Sequence, residues 1–219
     1  MWIGPCRPYF ILHCFQFSLV LLLLGSTTVV RANDNNGPFE IDHRLSPKYD
    51  GIYKRSTQMG LQYALVAGVG SLAIYEGSES RLGRTAWQSL DSMLITATLA
   101  QAGKIAFSRE RPTETPDAAK FFQGTGHRSF PSGEVANVAA IFTPFVLEYG
   151  RENPALVGVA AATLIYDAEA RMKVRAHWQS DVIAGALLGA GTGYLMHQRN
   201  QSIILVPFGG VFIGYRKNF

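Results

Sequence analysis

The stretch ARMKVRAHWQSD, Ala170 to Asp181, lies between two apolar runs, residues 156–166 and 182–196, each long enough to form a helix. Those runs predict core helices, and between them the chain sets Arg171, Arg175, His177 and Asp181. Burying such groups costs several kcal/mol unless they pair with one another or with a ligand. His177 and Asp181 are four positions apart and would share a face if both were helical. A carboxylate one turn from an imidazole can fix its tautomer and raise its basicity, as for an oriented nucleophile or base. The plainer reading of the same residues is an ion-pair patch at a helix start.

Apolar periodicity extends the helical reading in both directions. The last helix covers 177–197, where Gly185, Gly189, Gly191 and Gly193 suggest close approach to a neighbouring helix. Upstream, 154–166 and 133–149 read as helices joined by a short turn, with Pro154 suited to a first-turn position. Residues 109–132, broken by Pro112, Pro116, Gly124, Gly126 and Pro131, form a long loop, and loops of that length in compact domains carry function or are disordered. Residues 85–107 and 54–75 are two further helices, and the polar segment 33–53 is an extended lead-in. The tail changes character: residues 203–206 and 211–213 are apolar and flank Pro207 to Gly210, as in a hairpin. The expected fold is therefore all-α, a bundle of about five to six helices over 54–200 with a short β-hairpin-like tail over 201–219. The longest apolar run after residue 32, 59–75, has 17 residues and is interrupted by Gln62 and Ser71. Core helices of a soluble bundle fit that pattern, with an integral membrane protein as the alternative.

Residues 1–32 read as an export signal. Arg7 precedes the apolar run 15–24, and Val30-Arg31-Ala32 offers a small-x-small cleavage site. An uncleaved anchor facing the periplasm is the alternative. Cys6 and Cys14 both lie in this segment, so the remaining chain has no disulfide and no thiol chemistry, which suits a bacterial periplasm. The whole chain carries 20 Lys+Arg against 16 Asp+Glu, and without Arg7 and Arg31 the excess of positive charge is small. A field that weak argues against general nucleic-acid binding.

Three blocks hold the polar residues best suited to chemistry. In KIAFSRERP, Lys104 and Arg111 are seven apart, so two helical turns would bring them towards one face. Lysine and arginine together suit a phosphate, although cations at a helix C-terminus are also good dipole partners. In SFPSGE, Ser132 and Gly133 open a helix and can aim a hydroxyl and backbone N–H groups at an oxyanion; the plainer reading is an N-cap followed by Glu134 as a first-turn acid. The third block is the stretch quoted first.

Taken together, the blocks resemble the type 2 phosphatidic acid phosphatase and vanadium haloperoxidase superfamily, whose pattern is K-x6-RP, PSGH and SR-x5-H-x3-D. Lys104 to Arg111-Pro112, Pro131-Ser132-Gly133, and Arg171, His177 and Asp181 match it in order. Two positions depart from it: Ala170 replaces a serine, and Glu134 replaces the histidine that serves the family as acid and base. The resemblance implies that His177 attacks phosphorus to give a phosphohistidine and that Asp181 orients its other ring nitrogen. It implies that Lys104, Arg111, Arg171, Ser132 and Gly133 stabilise the phosphoryl oxygens, with no metal and no cofactor. Glu134, or alternatively His127 in the preceding loop, would replace the missing acid. Glu134 is pulled both ways, since burial and phosphate would raise its pKa while Lys104 and the helix N-terminus would lower it.

The function expected is an exported, metal-independent phosphatase acting on a phosphomonoester or pyrophosphate, a lipid phosphate being one candidate. Its partner is then a phosphorylated small molecule or lipid headgroup, with peripheral membrane contact compatible with that role. The alternative is a phosphate- or headgroup-binding protein of the same fold with little turnover, and a vanadate-dependent peroxidase is a third reading.

Overall fold

A computed structural model describes residues 36–37, 40–199 and 202–203. The expected signal segment and the expected hairpin after residue 203 lie outside these residues. Among the described residues the chain forms five α-helices and one short 3-10 turn, Gly51–Tyr53, with no strand. The helices are α1 (Arg55–Glu76), α2 (Arg81–Phe107), α3 (Gly133–Tyr149), α4 (Pro154–Lys173) and α5 (Gln179–His197). None of them is long and apolar enough to cross a membrane.

Leu65, Val66, Val69, Leu72 and Ala73 of α1 pack on Ala86, Trp87, Leu90 and Met93 of α2 and on Ile141 and Phe145 of α3. A second cluster joins Val135 of α3 to Leu164, Ala168 and Met172 of α4 and to Val182 and Ala186 of α5. Both are the apolar stripes of amphipathic helices, closed by burial. Ser80 caps α2 by accepting the N–H of Gly83 at 2.9 Å, and Asn153 accepts the N–H of Leu156 ahead of Pro154.

The closest helix pair is set by glycine. A Cβ on Gly185 would stand 2.4 Å from the Ser132 carbonyl oxygen, and one on Gly189 would stand 2.0 Å from that of Ala136. One on Gly193 would stand 2.6 Å from Thr143 Cβ. With one glycine per turn, α5 lies directly on the backbone of α3, and the first turns of the two helices meet: Ser132 N–H donates to the Asp181 carbonyl at 2.9 Å.

Four points differ from the sequence reading. Helix α2 starts at Arg81, four residues ahead of the expected 85, because Ser80 caps it there. Helix α4 runs seven residues past Tyr166, because its buried face continues through Asp167, Ala170 and Arg171, which carry no apolar periodicity. The last helix begins at Gln179 with Trp178 as its N-cap, so His177 precedes it. Helix α2 ends at Phe107, with Ser108 left-handed (φ 39°), so Arg111 lies in the loop and not two helical turns beyond Lys104.

Candidate active site

The loop between α2 and α3 is folded over one buried cation. Arg109 is fully buried, and its Nη1 donates to Asp181 Oδ1 at 2.5 Å and to Ser180 Oγ at 2.7 Å. Its Nη2 donates to Asp42 Oδ2 at 2.7 Å and to the Ala118 carbonyl at 2.6 Å. The rings of Phe121 and Trp178 flank the guanidinium, 4.4 and 5.5 Å from its carbon. Burying a guanidinium is tolerable only with this many acceptors. The result clamps the lead-in, the loop and the start of α5 together.

Asp181 is the other half of that clamp. It accepts from Ser129 Oγ at 2.5 Å and from Trp178 N–H at 2.9 Å, the latter capping α5. Burial would raise its pKa, but His177, Arg109 and Ser129 outweigh that and hold it below the usual carboxylate range. The Ser129 carbonyl in turn lies 2.7 Å from His177 Nδ1, whereas Asp181 Oδ2 is 3.7 Å from that nitrogen. A carbonyl can only accept, so Nδ1 carries the proton and Nε2 presents its lone pair. Asp181 therefore steadies the imidazole through Ser129 rather than by a direct hydrogen bond from a shared helical face. Burial, with Lys104 and Arg171 nearby, pulls the His177 pKa down to about 4, so the ring is neutral at pH 7.

Cations gather beside this ring. Lys104 Nζ donates to the carbonyls of Arg128 (3.1 Å) and Pro131 (2.6 Å), and its Cε passes 3.7 Å from where a Cβ on Gly133 would lie. Burial and the charges of Arg111 and Arg171 bring its pKa down to about 8. Arg171 is almost entirely buried; its Nη1 donates to Gln58 Oε1 at 2.6 Å, and its Nε has no partner. Ser132 stands at the N-cap of α3 but makes no capping bond, and its buried Oγ is also unpartnered. Two buried donors with nothing to bind, beside cations and a helix N-terminus, are what a tetrahedral anion would satisfy.

Glu134 sits at the mouth. Both its oxygens lie 2.7 Å from the Arg55 fork, and Oε2 is 3.5 Å from Arg171 Nη1. Burial pushes the carboxyl up, but Arg55 and Arg171 win and hold it ionised. The lowering pull comes from Arg55 and Arg171 rather than from Lys104 as the sequence suggested, and Glu134 rests ionised. His127 is half-buried in the loop, with Nδ1 3.2 Å from Glu114 and Nε2 4.0 Å from Glu110.

The sequence singled out Lys104, Arg111, Ser132, Gly133, Glu134, Arg171, His177 and Asp181, and the structure brings them to one end of the bundle. Lys104 feels Arg111, Asp181, Arg171 and Glu134, and His177 feels Lys104 and Arg171. Sequence reasoning missed Asp42, Arg55, Gln58, Arg109, Ser129 and Asp167. Arg109 lies inside the first block and could have been flagged as a charge in an otherwise breaker-rich loop; Arg55, alone at the head of an apolar helix, gave no comparable signal.

A cavity of about 480 Å³ opens from Lys104, Gly133, Glu134 and Arg55 between α1, α2 and α3. The rest of its lining is mostly apolar, with Met59, Tyr63, Met93, Leu94, Ala97 and Ala100, and is interrupted by Gln62, Gln101 and Asn137.

The family model for the PAP2 superfamily matches residues 85–204. Over 137 residues the chain is 31% identical to a lipid A 1-phosphatase of Porphyromonas gingivalis, covering 62% of this chain and 28% of that one. It is 36% identical over 104 residues to a lipid A 1-phosphatase of Rhizobium johnstonii (45% and 41% covered). A third, from Rhizobium etli, is 35% identical over 103 residues (45% and 43% covered). The chain thus spans less than half the length of these curated relatives. No solved structure matches it.

Proposed function

The chain belongs to the PAP2 superfamily, and from that premise we propose that it is a phosphoric ester hydrolase acting without metal on a lipid phosphate, through a phosphohistidine on His177. The observation that carries this reading is the neutral, buried His177, its Nδ1 proton engaged by Ser129 and its other nitrogen free, beside unpartnered donors on Ser132 and Arg171. His177 Nε2 attacks phosphorus. Lys104, Arg111, Arg171, Ser132 Oγ and the Gly133 N–H neutralise the phosphoryl oxygens as charge builds. Three cations and a helix N-terminus supply the positive charge that a metal would otherwise bring. In the second half-reaction Glu134, already ionised, takes a proton from the attacking water.

A lipid substrate is supported by the apolar cavity beside the cations and by the names of the relatives, a lipid 1-phosphate being the first to try. Export to a bacterial periplasm, with residues 54–200 as the phosphatase-like domain, belongs to the same proposal. The ionised state of Glu134 favours one second reading, a headgroup-binding protein with little turnover.

Phosphate release decides between them. Residues 33–219 should free phosphate from lipid 1-phosphates or phosphatidic acid in detergent with chelator present, and vanadate should inhibit. His177→Ala should release none. Tight binding of these lipids without release would establish the second reading.

A further inference from the structure

Glu134 can accept a proton from water, but while Arg55 and Arg171 hold it ionised it has none to give a leaving oxygen. We propose that Asp167, on α4 behind Glu134, stores that proton and relays it through Glu134, so that two carboxyls do the work of the missing histidine. The proposal rests on the phosphatase reading above.

Among the described residues four aspartates are almost wholly buried: Asp42, Asp91, Asp167 and Asp181. Asp42 and Asp181 hold Arg109 and backbone N–H groups, and Asp91 accepts from Ser202 Oγ at 2.9 Å and Ile203 N–H at 2.7 Å. Among the described residues Asp167 receives one long amide contact, Gln62 Nε2 to Oδ1 at 3.4 Å, and its Oδ2 has no partner. A buried carboxylate with a single long donor contact is expensive, and binding a proton is the direct relief. Around it stand Arg55 on α1, Glu134 on α3, and Arg171 and Tyr166 on α4. Burial first, then the negative charge of Glu134, lifts its pKa to about 7 against Arg171, Gln62 and Arg55. The same Gln62 Nε2 lies 3.5 Å from the main-chain carbonyl of Glu134, and the two carboxyls share Arg171 and Arg55 as neighbouring cations.

A phosphoryl group settling on Arg171 weakens that guanidinium's hold on Glu134, whose affinity for a proton then rises. Asp167 passes its proton to Glu134, and as the His177 Nε2–P bond forms and the ester O–P bond breaks, Glu134 hands that proton to the leaving oxygen, leaving both carboxyls ionised. When water attacks the phosphohistidine, the N–P bond breaks and the water's proton returns through Glu134 to Asp167. Ester and water become alcohol and phosphate, and the pair ends as it began. Asp167 does not touch substrate; it acts through Glu134.

Asp167→Asn keeps the shape and removes the stored proton. It should cost at least about tenfold more in kcat on an alkyl phosphate, whose leaving group needs the proton, than on p-nitrophenyl phosphate, whose leaving group does not. It should also erase the alkaline limb near pH 7 from the alkyl phosphate profile. Equal losses on both esters, or none, would overturn the proposal. Carboxyl-carbon NMR of the unliganded parent supplies a readout independent of turnover: a resonance titrating near neutral pH and missing from Asp167→Asn is expected, and an ordinary aspartate titration overturns the proposal. A parent that shows that titration but releases no phosphate sinks the phosphatase reading, and the relay with it.

Discussion

At the scale of single residues, two buried groups pull pH stability in opposite directions. Folded His177 binds its proton only near pH 4 while the unfolded residue binds it from about 6.5, so acidification through that window favours unfolding. Asp167 does the reverse. Folded, it takes its proton at about 7; unfolded, at 3.8, so the same acidification favours folding. Each contribution amounts to about 3 kcal/mol between pH 7 and 4.5 at 1.36 kcal/mol per unit. In the parent they nearly offset. Urea unfolding of His177→Gln should therefore show stability rising on acidification from pH 7 to 4.5, and Asp167→Asn should show it falling. Identical pH profiles for parent and both variants would refute this assignment. The sequence exposed the residues that fall in short spaced blocks, such as Lys104, Ser132 and His177. It hid Asp42, Arg55 and Asp167, and showed Arg109 only as a charge in the first block, because their meaning comes from partners many tens of positions away, as in the 67-residue separation of Arg109 from Asp42.

At the scale of elements, the contact of α3 with α5 sets how Ser132 and Asp181 meet. A methyl on Gly189 would meet the Ala136 carbonyl at 2.0 Å, so Gly189→Ala must push the helices apart. A loss of about 1–3 kcal/mol or more is expected, with kcat falling because Ser132 and Asp181 separate. Gly191 meets nothing within 4 Å, and Gly191→Ala should gain roughly 0.5–1 kcal/mol from helix propensity. Thermal unfolding of the two variants checks both signs. The four glycines of α5 were visible as a cue for close packing, but which of them bear on a neighbour was not, since that depends on the rotation of the helix. Helix ends were legible where proline or glycine marks them, as at Gly133 and Pro154. They were not legible in α4, where a buried polar face carries the helix on to Lys173.

At the scale of the whole molecule, the all-helical class follows from periodicity alone, while the apolar cavity leading from the cations depends on how α1 leans on α2 and α3. Exposed apolar side chains stand on these same helices: Tyr63, Leu94, Leu99 and Ile105 are each 46–65% exposed. If the cavity holds a hydrocarbon chain, Ala97→Trp should reduce kcat/KM for a long-chain lipid phosphate at least about tenfold more than for p-nitrophenyl phosphate. Equal effects would remove the cavity from substrate recognition. The clamp around Arg109 has a consequence of another kind. Asp42 and Ser180 are joined across 138 positions, so during synthesis the platform beneath His177 cannot close until the start of α5 has left the ribosome. Nascent chains stalled before α5 would carry Lys104, Arg111 and Arg171 without a seated imidazole, and the cluster would be completed in a single step.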